Sequence, residues 1–289
     1  MRLIVSGARG MVGRAVAAYC QALGDEVFAY DHASLDIADE RSVRDVFDRD
    51  GPEAVINCAA WTDVDGCEFD RKHAFRVNAQ GPEILAANSR RTKAVLVTIS
   101  TDYVFDGLKE GFYTQRDDPN PQSVYALSKL EGERRAQAAS ARTIVARTGL
   151  VFGPGGNNFL SRVIEYAEGG QTLKAISDAY GTPTYSEALA ARLRELVRID
   201  LPGIYHVVGG GKGASFAEFA RASLRLAGLD EARVQEVSME SLNRPATRPR
   251  NSRLRCLLSE KIGLAPLPEW QSSLESFVRK MRAKSESAM

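Results

Sequence analysis

Tyr125-Ala126-Leu127-Ser128-Lys129 holds a phenol and an ammonium four residues apart, which places both on one face of a helix. A free tyrosine titrates near pH 10, and a neighbouring cation moves it toward the range where a proton donor works best. Of the 9 tyrosines only Tyr125 has a lysine at that spacing, although an ordinary surface helix pair would satisfy it too. Upstream, Val97–Phe105 runs an apolar strand into Ser100-Thr101-Asp102. That arrangement sets small hydroxyls and a carboxylate at the carboxyl edge of a parallel sheet, where α/β folds bind ligands. Thr101 is expected to donate a hydrogen bond to a substrate carbonyl and so stabilise the charge that hydride addition builds there. Alone, Ser-Thr-Asp would read as a helix cap. Its position ahead of the Tyr125–Lys129 pair favours a site.

The partner chemistry is written at the other end of the chain. Gly7-Ala8-Arg9-Gly10-Met11-Val12-Gly13 follows an apolar strand directly and opens a helix. Glycines there let the backbone turn tightly and approach a pyrophosphate, whose charge meets the helix N-terminus. The spacing is G-x-x-G-x-x-G rather than the more widespread G-x-G-x-x-G. Asp31, about 20 residues further on, stands where an acidic side chain accepts adenosine ribose hydroxyls. Its charge disfavours the extra phosphate of NADPH, whereas Arg9 in the loop could hold that phosphate in a bidentate fork. NADPH and NADH therefore both stay open, and Lys129 has a second possible task at the nicotinamide ribose.

These groups need a scaffold, and the apolar pattern describes one. Strands are expected at Leu3–Ser6, Glu26–Tyr30, Ala54–Asn57, Ala94–Ser100 and Thr143–Arg147, with a later one at Ile204–Val208. Helices are expected over Arg14–Leu23, Ala74–Ser89 and Glu187–Arg198. Short strands alternating with helices predict an α/β fold with a Rossmann-type parallel sheet. Breaker clusters at Gly153–Asn158 and Gly209–Gly213 interrupt that rhythm. The expected division is a dinucleotide-binding domain over 1–150 with returning segments near 180–215. A smaller substrate-binding domain would take 151–179 and 216–289. A net charge of +1 over 289 residues offers no general attraction to nucleic acid or acidic membranes. The four cysteines lack metal-ligand spacing, so no metal site is expected and free thiols in a reducing, cytoplasmic setting are. With the first strand read from Leu3, no signal peptide is expected, and no apolar run suits a bilayer.

Taken together, these motifs resemble the extended short-chain dehydrogenase/reductases, and most closely the branch of the dTDP-4-dehydrorhamnose reductases. The resemblance continues through Asn57–Glu68, Asn78-Ala79-Gln80-Gly81, Gly156–Phe159, Asp178–Thr184 and Arg248–Leu254. It implies an NAD(P)H-dependent oxidoreductase that reduces the 4-keto group of a dTDP-linked 4-keto-6-deoxyhexose. By the same resemblance Tyr125 would donate the proton, Lys129 would activate it and Thr101 would orient the carbonyl. Gly7, Arg9, Gly10, Met11, Val12, Asp31, Asp36, Ile37, Ala59, Ala60 and Thr62 would meet the cofactor, Asp36 and Ile37 at the adenine. Asp102, Asn158 and Arg248 would face the substrate, although the arginine-rich stretch around Arg248 also suits a solvated loop. The implied partner is a nucleotide sugar, with no nucleic acid and no membrane, and a homodimer is one oligomer to expect.

One position departs from the branch. Where it reads R-T-S-W, this chain has Arg147-Thr148-Gly149-Leu150, so Leu150 replaces a flat aromatic wall beside the sugar. That change keeps a sister reductase of another nucleotide-linked keto sugar in view. A non-catalytic dinucleotide-binding subunit, like that of methionine adenosyltransferase, is a third alternative because it can retain the tyrosine and lysine.

Overall fold

The structure, a computed structural model, describes residues 1–287, with side chains described through residue 283. Six strands form one parallel sheet: β1 (Arg2–Ser6), β2 (Glu26–Tyr30), β3 (Ala54–Asn57), β4 (Val95–Thr101), β5 (Thr143–Thr148) and β6 (Gly203–His206). Their spatial order is β2-β1-β3-β4-β5-β6. The chain turns one way from β1 to β2 and the other way to β3, which opens a crevice at the carboxyl ends of β1 and β3.

Alternation along the strands feeds two cores. Leu3, Val5, Ile56 and Val97 point to one face, where α1 (Met11–Ala22) and α6 (Ser186–Ile199) cover them with Val16, Cys20, Leu189 and Leu193. Ile4, Val55 and Leu96 point to the other. There α2 (Glu40–Asp50), α3 (Gly81–Thr92) and α4 (Val124–Ala139) supply Val43, Phe47, Leu85 and Ala136. Burial on both faces explains why these strands read as continuous apolar runs in the sequence. The expected Rossmann-type sheet is therefore present, each of its strands within two residues of the range read from the sequence.

Beyond β5 the chain builds separate cores. Phe152, Phe219, Trp270 and Phe277 pack between α7 (Phe216–Leu226) and α8 (Trp270–Ser287). Val163 of α5 (Phe159–Glu168) joins Leu224 and the parallel pair Leu173–Ile176 and Val234–Val237. Among the described residues, no helix is long and apolar enough to cross a membrane.

One expected element is broken. In place of a single helix over Ala74–Ser89, a short helix Arg71–Phe75 widens into a π-helical turn at Arg76–Gln80 before α3 begins at Gly81. Pro82 in the first turn of α3 has no N–H to continue the ladder across that junction. The wide turn carries Asn78 against α4, where Gly132 meets it: a Cβ on Gly132 would lie 2.1 Å from the Asn78 carbonyl oxygen. Gly132→Ala is expected to cost about 1–3 kcal/mol, because a methyl group there forces two helices apart. A lowered urea midpoint at unchanged slope would register it, and an unchanged midpoint would show that the junction has slack.

Candidate active site

Gly7 leaves β1 in the left-handed region at φ +70, and a Cβ there would lie 2.7 Å from the Ala59 nitrogen and the Cys58 carbonyl carbon. Gly13, in the first turn of α1, is as tight: its Cβ would lie 2.2 Å from the Gly7 carbonyl oxygen. Both glycines are thus required by close backbone approach, and Gly10 occupies the N-cap position of α1. No side chain caps that helix, whereas Asp39, Ser123, Asn158 and Ser215 cap α2, α4, α5 and α7. Its first-turn N–H groups are thereby left for an anion, which is the donor set a pyrophosphate needs. Met11 sits on the same turn, its sulfur accepting from the Ser161 hydroxyl at 3.5 Å, and Val12 packs into the core beneath.

Asp31 follows β2 at the rim of this crevice. Ser34 donates both its hydroxyl and its N–H to the carboxylate, which with the nearby Arg9 holds Asp31 below the usual carboxylate range. Arg9 and Asp31, read from the sequence as opposing influences on the cofactor, are bound to each other: Arg9 Nε lies 2.5 Å from Asp31 Oδ2. Both line an open cleft with Ala8, Ala29, Ala33 and Ser34. Asp36 accepts from the Ala38 N–H and pairs with Arg76. Ile37, expected against an adenine, turns its side chain into the core under Gly81, so its backbone alone can meet a ligand.

The segment after β3 is held by two asparagines. Asn57 accepts from the Ser6 hydroxyl at 2.7 Å and the Ala59 N–H at 3.1 Å, and donates to Thr98 Oγ1 at 3.1 Å. That buried relay ties the carboxyl ends of β1, β3 and β4 together. Asn78 accepts the Trp61 N–H at 2.9 Å and donates to the Trp61 carbonyl at 3.0 Å and to Ser128 Oγ at 3.1 Å. Ala59 and Ala60 are thus half-buried along the crevice, and Thr62 is exposed at its end. The sequence reading assigned Asn78 no role. The only signal was its place in the resemblance motif, since nothing local links it to Ser128.

Tyr125 and Lys129 are buried on one face of α4, whose N-terminus is capped by Ser123 and whose Val124 N–H donates to Glu68 at 2.8 Å. The Thr101 hydroxyl lies close enough to the Tyr125 phenol to act on its proton. Burial raises Tyr125 well above its usual range, the Thr101 hydroxyl opposing and the Asp102 charge adding to the rise. The lowered phenol expected from a neighbouring ammonium is therefore reversed in this state. Lys129 Nζ donates instead to the Ile99 carbonyl at 2.7 Å. Burial brings Lys129 down to about 8, against the pull of Glu133 and Cys58. Thr101 also differs from expectation: its hydroxyl donates to Asp102 Oδ1 and accepts from the Tyr103 N–H, each at 3.1 Å. With its one proton directed at a carboxylate, Thr101 acts as an acceptor, and Tyr125 is the donor left for a substrate oxygen.

On the substrate side, Asn158 caps α5 by accepting from the Ser161 N–H at 2.9 Å and donates to the Val151 carbonyl at 2.8 Å. Arg248 grips Asp65 with both terminal nitrogens at 2.9 and 2.8 Å, while the Ala246 N–H donates to the same carboxylate at 3.0 Å. The guanidinium expected to face phosphate is thus a strut between the short helix Val64–Phe69 and the arginine-rich loop, a role hidden by the 183 residues separating the partners. Leu150 adopts a left-handed backbone at φ 44, and its side chain occupies the space a Cβ on Gly181 would need.

Asp102 lies buried where Gly149 makes room for it; a Cβ there would be 2.3 Å from Oδ2. Burial pushes Asp102 up to about 6, against the hydrogen bonds of Ser252 and Thr101. The folded state therefore holds this proton more tightly than the unfolded chain, whose carboxyl titrates near 4. Ionised Asp102 weakens the fold above about pH 6, and the penalty fades as the pH falls toward 4. Asp102→Asn is expected to raise the melting temperature at pH 8, with the gain shrinking toward pH 4. A gain of equal size at both pH values would contradict this origin.

Residues 1–283 match the family model described as the RmlD substrate binding domain. A dTDP-4-dehydrorhamnose reductase of Streptomyces griseus is 38% identical over 283 residues, spanning 96% of this chain and 93% of that protein. Among solved structures, a dTDP-4-dehydrorhamnose reductase from Clostridium acetobutylicum superposes with a TM-score of 0.92 at 35% identity, covering 98% of this chain and 100% of the other. One from Bacillus anthracis, in complex with NADP, gives 0.92 at 31% identity, covering 96% and 99%. The family-model match runs from the glycine turn through the arginine-rich loop, and the relatives cover nearly the whole chain, so this chain belongs to the dTDP-4-dehydrorhamnose reductase family of extended short-chain dehydrogenase/reductases.

Proposed function

We propose that this chain reduces the 4-keto group of a dTDP-linked 4-keto-6-deoxyhexose, the reaction of a dTDP-4-dehydrorhamnose reductase, with Tyr125 as proton donor. The supporting observation is the buried group of Tyr125, Thr101 and Asp102 at the carboxyl end of β4, at the same sheet edge as the uncapped α1 and the Gly7 turn. Bound NADPH or NADH would supply the hydride. Gly7, Gly10, Met11 and the α1 amides would hold its pyrophosphate, Ala59, Ala60 and Thr62 would flank it, and Asp31, Arg9 and Asp36 would meet the adenosine end. Lys129, still largely an ammonium at neutral pH, would bind the ribose beside the reacting carbon. The work of the protein at the ketone is to keep a proton ready. Burial holds Tyr125 in its protonated form, and an alkoxide forming against it is a far stronger base than the phenolate left behind. On this reading residues 1–150, with returning segments near 180–215, would serve the cofactor, and 151–179 and 216–289 the sugar nucleotide.

A sister specificity is favoured by Leu150 alone. With its side chain turned onto Gly181 it offers no aromatic face to a sugar, so another keto sugar is the second reading.

Two measurements test the assignment. Tyr125→Phe should fold, bind NADPH or NADH as before and lose at least about 100-fold in turnover of dTDP-4-keto-6-deoxy-L-mannose, as removal of a general acid does. Unchanged turnover would take Tyr125 out of the mechanism. Asp31→Asn should strengthen NADPH binding relative to NADH by about 10-fold, because one repelling charge near the 2′-phosphate is gone, and Arg9→Ala should shift the ratio the other way. Fluorescence titration reads both, and equal ratios in all three proteins would place the adenosine ribose elsewhere.

A further inference from the structure

Five arginines lie between Asn243 and Cys256, and the structure sorts them by what they hold. Arg248 is locked on Asp65, Arg250 pairs with Glu240 and Arg255 with Glu260. Arg253 donates to Asn251 Oδ1 and lies over the Phe112 and Tyr180 rings. Arg244 is different. Among the described residues it has no hydrogen bond, no carboxylate within ion-pair distance and no ring beneath it, and it lines an open cleft with only part of its surface in solvent.

That cleft is lined by Asp106, Asn120, Gln122, Arg244 and Thr247, beside the Arg248 strut. Both acids in its lining are already occupied: Asp106 accepts from the Leu108 N–H, the Tyr113 hydroxyl and the Asn120 amide, and Glu240 is held by Arg250. Arg244 and Arg248 both act electrostatically on Tyr103, and the Tyr103 ring stands edge-on to the Tyr125 ring with centroids 6.2 Å apart. A sugar ring at Tyr125 would therefore extend its phosphates past Tyr103 into this cleft. Partial burial and the like charge of Arg248 lower Arg244 from its usual range, so a dianion arriving there relieves a repulsion as well as making new bonds.

We propose that Arg244, and not Arg248, is the cationic anchor for the diphosphate of a nucleoside-diphosphate sugar. The assignment rests on the function proposed above. Planar, bidentate donors suit phosphate oxygens, and an arginine without an internal partner gives up no existing ion pair to reach them. Arg248 serves it indirectly, keeping the loop in place through Asp65.

Calorimetric titration with dTDP, which carries the diphosphate and cannot react, tests the assignment. Arg244→Ala should weaken dTDP binding by about 10- to 100-fold, the range of a charge-assisted hydrogen bond. Arg244→Lys should recover part of the loss, and Arg250→Ala should stay within about threefold of wild type because its ion pair is exposed. Melting temperature and NADPH affinity, unchanged in all three variants, establish that each is folded. Wild-type binding that is retained in R244A, or lost in R250A instead, would overturn the assignment alone. A wild-type protein that does not bind dTDP would overturn both the assignment and the function beneath it.

Discussion

The side-chain amide of Asn78 satisfies both backbone polar groups of Trp61 and reaches Ser128 on α4, and the rest of the site depends on that fit. Past Cys58, whose N–H still bonds the Ser6 carbonyl, the chain to Thr62 leaves the sheet and crosses beside a helix, where the Trp61 N–H and C=O have no strand partner. An orphaned buried group of that kind costs about 1–3 kcal/mol. One asparagine removes two such costs and fixes the distance between the crossing segment and the helix that carries Tyr125. The π-helical turn is what aims Asn78 there, and Gly132 is what lets the turn approach. A wide turn of this type commonly accompanies a functional position in a helix.

Burial governs the proton chemistry more than charge pairing does. Tyr125, Asp102 and Lys129 are each moved toward the neutral form, and in each the loss of water is the largest cause. Among the described residues, the ion pair with both partners most deeply buried lies a layer below: Arg147 holds Glu133 with two nitrogens, and Ser100 donates to the same carboxylate. This links β4, β5 and α4 behind the site. Loss of one partner of such a pair strands the other, which is why buried pairs hold geometry more than they add stability. β4, which carries Thr101, and α4, which carries Tyr125, thereby keep a fixed relation.

Much of this was legible in the primary structure. Leu3–Ser6, Ala54–Asn57 and Thr143–Arg147 read as strands because they are buried on both faces, and the glycines at 7, 10 and 13 announced a tight strand-to-helix turn. The roles that changed share a physical feature. Arg248 was expected at phosphate and is bound to Asp65; Thr101 was expected to donate outward and donates to Asp102; Lys129 was expected at the phenol and reaches Ile99. In every case the residue type was informative and the partner was not, because hydrogen bonds are assigned by distance in space.

Local rules act over a few residues, so the order of strands, the glycine turn, the i,i+4 placement of Tyr125 and Lys129 and the family itself could all be read along the chain. The direction in which each polar side chain spends its protons was decided by tertiary contacts. Asn78 meets Ser128 across 50 residues and Arg248 meets Asp65 across 183, separations at which no periodicity carries information. Only the packed structure reveals which arginine is left without a partner, because an ion pair is set by proximity after folding and not by the spacing of charges in sequence.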